Sequence, residues 1–263
     1  MNLIAVDIGN TNIKMGLFLD GEEKLTASIP ERAKSEITEV LQSYWAKVPL
    51  LRASKEEKRD GVIVVSSVKE QSGGMVRKIA KENLNEKILV IGVDVPFPMD
   101  LSVSEPEKVG TDRIVSAAAA YSVVESAVVV ADFGSAVTID VVDDRGVFAG
   151  GVIVPGFEMG AKALENGTSQ LPKVKVTRPE YPFGQDTKEA INCGLYYQAI
   201  GTLEEVVRRY SQEIGSWPKT IVTGGGAQII ADDCDFIDSY VPDLVLKGIA
   251  LSYRRYIEHK SGG

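Results

Sequence analysis

Apolar and polar positions along the chain fall into blocks that predict strands and helices in turn. Leu3–Val6 is a short apolar run leading into Asp7-Ile8-Gly9-Asn10-Thr11-Asn12. Ile13–Phe18 then resumes an extended pattern that ends at Asp20-Gly21, a strong hairpin signal. The spacing of Ile37, Val40, Leu41, Tyr44 and Trp45 predicts a helix within 31–49. Val62–Val65 reads as a buried strand ending in Ser66-Ser67, residues 70–84 as a helix, and Leu89–Val93 as another strand. Pro96–Pro106 interrupts regular structure, after which Gly110–Glu125 predicts an alanine-rich helix with Ile114, Val115 and Ala118 on one face. Ala127–Ala131 is a strongly apolar strand ending at Asp132-Phe133-Gly134-Ser135. Thr138–Val142 resumes as a strand, and Asp144-Arg145-Gly146 turns it back from Val147 onward. Residues 155–185, with four prolines, read as loop-rich. Asp186, with Glu189 three residues on, marks the start of a helix that runs to about Glu213. Ile221-Val222 is a short strand leading into Thr223-Gly224-Gly225-Gly226 and then a helical pattern, and 244–258 forms the last helix.

Leu3–Phe18 and Val128–Val142 share one plan: apolar strand, Asp-x-Gly, small hydroxyl or amide residues, strand. They lie about half a chain apart, which predicts two related halves. Asp-x-Gly after a buried strand has a physical use. The glycine permits a tight turn that aims backbone N–H groups at an anion, and the carboxylate can hold a hydrated divalent cation beside it. Asn10, Thr11 and Asn12 add side-chain donors and Lys14 a positive charge. One such turn is also an ordinary polar hairpin. Two in matching contexts, with a triple glycine as an adenosine shelf, describe a nucleotide cleft between two actin-like (ribonuclease H-like) domains. The expected fold is therefore α/β, with domains at 1–113 and 114–263 and a last helix able to pack back on the first domain.

Other segments keep two readings. In Gly110-Thr111-Asp112-Arg113, Asp112 is a helix cap or a general base, and Arg113 a clamp for a substrate carboxylate or a salt-bridge partner. Gly150–Gly156 is a bent strand or a place where backbone or ligand approaches closely. Tyr196-Tyr197 is core or dimer packing or a base-stacking platform, and the acidic charge favours packing.

Composition narrows the chemistry. The 263 residues carry a formal net charge of -8, with 44% apolar and 25% charged positions, as in an ordinary soluble globular protein. The single histidine, His259, sits in an expected C-terminal tail, which argues against histidine-based hydrolases. Cys193 and Cys234 are isolated, which excludes zinc-ligand spacing and suits a reducing cytoplasm. The acidic balance argues against a nucleic-acid partner. No basic leader opens the chain and no apolar run approaches a membrane span, so the expected location is the cytoplasm. Carboxylates, lysines, hydroxyls and backbone groups remain to carry the chemistry.

At these residues the sequence resembles the type III pantothenate kinases, members of the acetate and sugar kinase/Hsp70/actin superfamily that open coenzyme A synthesis. The likeness runs through Asp7–Thr11, Val109–Arg113, Asp132–Ala136, Gly150-Gly151 with Pro155-Gly156, Thr168–Pro172, Thr187–Gly194 and Gly224–Gly226. It implies ATP-dependent phosphorylation of pantothenate to 4'-phosphopantothenate by a cytoplasmic homodimer. ATP phosphates would lie on Asp7, Ile8, Gly9, Asn10, Thr11, Asn12, Ile13 and Lys14, with Asp7 acting through Mg²⁺ and Ser135 touching the nucleotide. Gly110, Thr111, Asp112 and Arg113 would line the pantothenate pocket, with Asp112 as the base, and Thr187 would reach pantothenate across the dimer interface. Asp132 would bind the required K⁺ or NH₄⁺. Phosphoryl transfer needs positioning and charge stabilisation above all, which a site without histidine can supply. The chain departs from the family pattern at Ser135, at Val137 in place of threonine, at Thr111 in place of alanine, and at Val103-Ser104-Glu105 in place of Tyr-x-Asn. The alternatives are a regulatory relative without turnover, since some members were first described as transcriptional accessory factors, and a kinase for another small hydroxyl compound.

Overall fold

The first apolar run forms β1 (Leu3–Ile8), which turns into β2 (Asn12–Leu19) and then β3 (Glu22–Pro30). Asp20 and Gly21 take φ of 54° and 84°, the left-handed pair that a two-residue hairpin needs. The next elements are α1 (Lys34–Lys47), β4 (Val62–Ser67), α2 (Glu70–Ile79) with a π-helical extension over Ala80–Leu84, β5 (Ile88–Val90) and α3 (Thr111–Val124). The pattern restarts with β6 (Val128–Phe133), β7 (Ala136–Val142) and β8 (Phe148–Pro155). It closes with α4 (Phe157–Gly167), α5 (Thr187–Ile214), β9 (Lys219–Thr223), β10 (Ser239–Tyr240) and α6 (Leu244–Ser261). This computed structural model describes residues 1–51, 58–67 and 70–261. Among them no helix is long and apolar enough to cross a membrane.

Two five-stranded sheets have the orders β3-β2-β1-β4-β5 and β8-β7-β6-β9-β10. In each, the first three strands are antiparallel and the last two run parallel to the central one. The repeated Asp-x-Gly plan is thus the visible part of a repeated sheet. One compact unit comprises Met1–Met99, Glu107–Ala119 and Val245–Gly263, and the other Asp100–Pro106 and Ala120–Leu244.

The period of two along β1 builds two cores. Ile4, Val6 and Ile8 pack with Ile37, Leu41 and Trp45 of α1 and Val76 and Ile79 of α2. Leu3 and Ala5, on the opposite face, pack with Val115 of α3 and Val245, Leu246 and Ile249 of α6. In the second unit Val129, Ala131 and Phe133 of β6 and Val137, Ile139 and Val141 of β7 pack with Tyr196, Leu203 and Val207 of α5.

Three expectations are corrected. The segment 155–185 contains α4, because its prolines lie outside 157–167 while Phe157 and Ala161 present an apolar face. The helical pattern after Gly226 yields only two single 3-10 turns, Ala227–Ile229 and Ala231–Asp233. His259 lies in the last turn of α6 instead of a tail, though it is exposed there.

α6 and α3 meet at Gly248, where a Cβ would overlap the Val115 carbonyl. Gly248→Ala should therefore cost about 1–3 kcal/mol through overpacking, read by calorimetry as a melting temperature several degrees lower. An unaltered melting temperature would contradict this contact.

Candidate functional site

Asp7 stands near the C-terminal end of β1. Ile8 pairs with Ile13, so residues 9–12 make the turn, and the Gly9 amide donates to the Asn12 carbonyl at 3.1 Å. Asn10, Thr11 and Asn12 are exposed at its tip. Asp7 is in register with Lys14 of β2 and Ser66 of β4, and side chains directly opposite in a sheet share a face. Asp7 and Lys14 are thus brought together. Ile8 and Ile13 point into the α1-side core, which leaves them only backbone groups to offer a ligand.

Asp112 lies in the first turn of α3. The Gly110 carbonyl accepts from the amides of Arg113 (3.1 Å) and Ile114 (3.3 Å), so Gly110, and not Asp112, occupies the capping position. Asp112 Oδ1 accepts from the Arg113 amide at 2.9 Å. Burial is the leading influence on this carboxyl and raises its pKa above the ordinary aspartate value, opposing the Arg113 amide and guanidinium. A Cβ at Gly110 would collide with Asp112 Oδ1, so the glycine makes room for the carboxylate. Thr111 and Arg113 flank it, half-buried.

In the second unit Asp132 holds the equivalent place on β6. Phe133 pairs with Val137, so this turn spans residues 134–136 and is one residue shorter than the first. Glycine segments close on it from two sides. The Gly226 amide donates to the Phe133 carbonyl at 2.9 Å and the Gly156 amide to the Ser135 carbonyl at 3.3 Å. Gly224 has φ of 89°, and a Cβ there would collide with Asp132 Oδ1. A Cβ at Gly156 would lie 2.6 Å from the Ser135 carbonyl oxygen. Ser135 is exposed, whereas Val137 is buried in the α5-side core beside Phe133 and Ile139. Thr187 stands on another element, exposed in the first turn of α5, whose N-cap Asp186 accepts from the Glu189 amide at 2.8 Å.

Sequence reasoning missed a cavity of about 410 Å³ beside Gly225, lined by Lys175, Thr177, Arg178, Gln228 and Asp232 among others. Next to it the Asp233 carboxylate accepts from the Tyr196 hydroxyl and pairs with Arg178. Burial, followed by the Asp233 charge, pushes the neighbouring Cys234 thiol up to about 11, which keeps it protonated. These residues come together from α5 and from loops far apart in the chain, so no local pattern announces them. Among the described residues no three His, Cys, Asp or Glu side chains gather as a metal cluster. The oxygen donors beside each turn, Asp7 with Ser66 and Asp132 with Thr223, suit hard cations such as Mg²⁺ or K⁺ that also bind ligand phosphates.

The family model described as type III pantothenate kinase matches residues 3–209. The type III pantothenate kinase of Bifidobacterium longum is 36% identical over 258 residues, covering 97% of this chain and 100% of the relative. That of Agathobacter rectalis is 33% identical over 257 residues, covering 96% and 97%. Solved structures share the fold. A conserved Campylobacter jejuni protein described as a Baf family transcriptional activator has a TM-score of 0.61 at 20% identity, over 99% of this chain and 100% of its own. MreB 5 of Spiroplasma citri, an AMPPNP complex, has a TM-score of 0.54 at 11% identity, over 100% and 98%. The duplicated sheet is therefore an actin-like fold, and with relatives matched end to end the chain belongs to the type III pantothenate kinases.

Proposed function

We propose that this chain transfers the γ-phosphoryl group of ATP to the primary hydroxyl of pantothenate, giving 4'-phosphopantothenate for coenzyme A synthesis. The observation that carries the reading is Asp112: a half-buried carboxyl, excused from capping α3, with a pKa raised by burial. A base of that kind sits closer to the working pH than an ordinary aspartate. As the hydroxyl oxygen bonds to the γ-phosphorus, its proton passes to Asp112 and the bond to the ADP oxygen breaks. Gly110, Thr111 and Arg113 hold pantothenate, with the Arg113 guanidinium facing its carboxylate. The Asp7–Lys14 turn and Ser135 hold the nucleotide phosphates, and the cavity beside Gly225 takes the nucleoside. Asp7 holds Mg²⁺, which neutralises phosphate charge, and Asp132 holds K⁺ or NH₄⁺. Thr187 reaches pantothenate from the partner in a cytoplasmic homodimer.

A coupled ADP-release assay with pantothenate tests the reaction. Turnover is expected to need ATP and pantothenate together and to rise with K⁺. No turnover at any K⁺ concentration would overturn the reading, and release of ADP with another small alcohol alone would reassign the substrate.

Asp112→Asn should lower kcat by about 10²–10⁴-fold while ATP still binds, measured by calorimetric titration. The wild-type rate should fall on the acid side with a pKa above the ordinary aspartate range, and the variant should lose that limb. Folding raises this pKa, so the folded protein carries a cost above it and none once the carboxyl is protonated. The variant should therefore melt at or above the wild-type temperature at neutral pH, with the advantage shrinking as pH falls through the raised pKa. A near-wild-type rate for Asp112→Asn would remove Asp112 as the base.

Sedimentation equilibrium at micromolar concentration should give twice the 28.4 kDa chain mass. A monomer would remove Thr187 from the site as proposed.

A further inference from the structure

Ser66 has no exposed surface, and its Oγ has no hydrogen-bond partner. An interior hydroxyl left in that state is a net cost that alanine would avoid. Ser116 and Thr220 share the condition, but only Ser66 lies in register with a carboxylate at a turn: it is the partner of Asp7 across the parallel β1–β4 pair. The two side chains point the same way. Leu3, Ala5 and Val64 belong to the core with α3 and α6, while Ile4, Val6, Ile63 and Val65 belong to the core with α1 and α2. Alternation then places Asp7 and Ser66 together on the α3 and α6 side. Strands lie about 4.8 Å apart, which puts the hydroxyl within reach of the carboxylate, directly or across one water. The second unit repeats the arrangement with Thr223, also buried, in register with Asp132.

We propose that Ser66 is a positioning residue for Asp7, its hydroxyl donating to the Asp7 carboxylate when Asp7 takes up the divalent ion of the nucleotide. The bond fixes the rotamer in which Asp7 faces that ion and its water shell. This inference rests on the role proposed above for Asp7.

Manganese(II) with ADP serves as the probe, bound metal being read by electron paramagnetic resonance. Ser66→Ala should bind Mn·ADP about tenfold more weakly, while its ligand-free melting temperature stays level or rises. Ser66→Thr, which retains the hydroxyl and copies Thr223, should restore binding, and Asp7→Asn should abolish it. Wild-type affinity in Ser66→Ala, alongside loss in Asp7→Asn, would overturn the role of Ser66 and leave that of Asp7 standing. Undiminished binding by Asp7→Asn would overturn the reading of Asp7 and this inference with it. A lowered ligand-free melting temperature in Ser66→Ala, unrelieved by threonine, would make Ser66 structural and overturn the proposal.

Discussion

A carboxylate at the end of a central strand can face a charged ligand only if the surrounding backbone replaces the water it loses, and that closeness leaves no space for a Cβ. Three glycines of this chain mark where backbone comes that close to a carboxylate or to a turn. Gly224 lies against Asp132, Gly156 against Ser135, and Gly110 against Asp112. Gly224 adds a positive φ that other residues rarely adopt. At Gly224 and Gly110 the close neighbour is a carboxylate, and at Gly156 it is the Ser135 carbonyl.

This arrangement explains how an acidic protein can handle anions. Net charge describes the far field, whereas binding at a turn is decided over a few ångströms by the N–H dipoles and charged groups beside it. Phosphoryl transfer asks for positioning and charge stabilisation, which a chain with a single exposed histidine can supply from other groups. Desolvation alone lifts one carboxyl toward the working range. The same desolvation makes the charged form of Asp112 a cost to stability.

Much of the fold was legible because it is local. Strand alternation, the Asp20-Gly21 hairpin and the Asp186–Glu189 start of α5 depend on neighbours within a few positions, and all appear in the structure. α4 was hidden by flanking prolines that do not enter the helix. Asp112 could not be sorted between cap and base by spacing, since one residue of offset decides which carbonyl and amide start the helix. Sheet register was out of reach altogether. The pairing of Asp7 with Ser66, or of Asp132 with Thr223, exists only once β4 and β9 have found β1 and β6. The cluster of Arg178, Asp233 and Tyr196 is nonlocal in the same way.

α6 also bears on how the molecule comes into being. Leu3, Ala5 and Val64 precede the second unit in the chain, yet Val245, Leu246 and Ile249, which pack on them beside Val115, follow it. On the ribosome Ile91, Val95 and Val115 can cover part of that face early, and the rest stays open until α6 follows the second unit. The second unit, continuous from Ala120 to Leu244 apart from its short upstream segment, can fold during that interval. The first unit is thus begun before the second and completed after it, so its core closes only once the two ends of the unit are joined across the whole of the other.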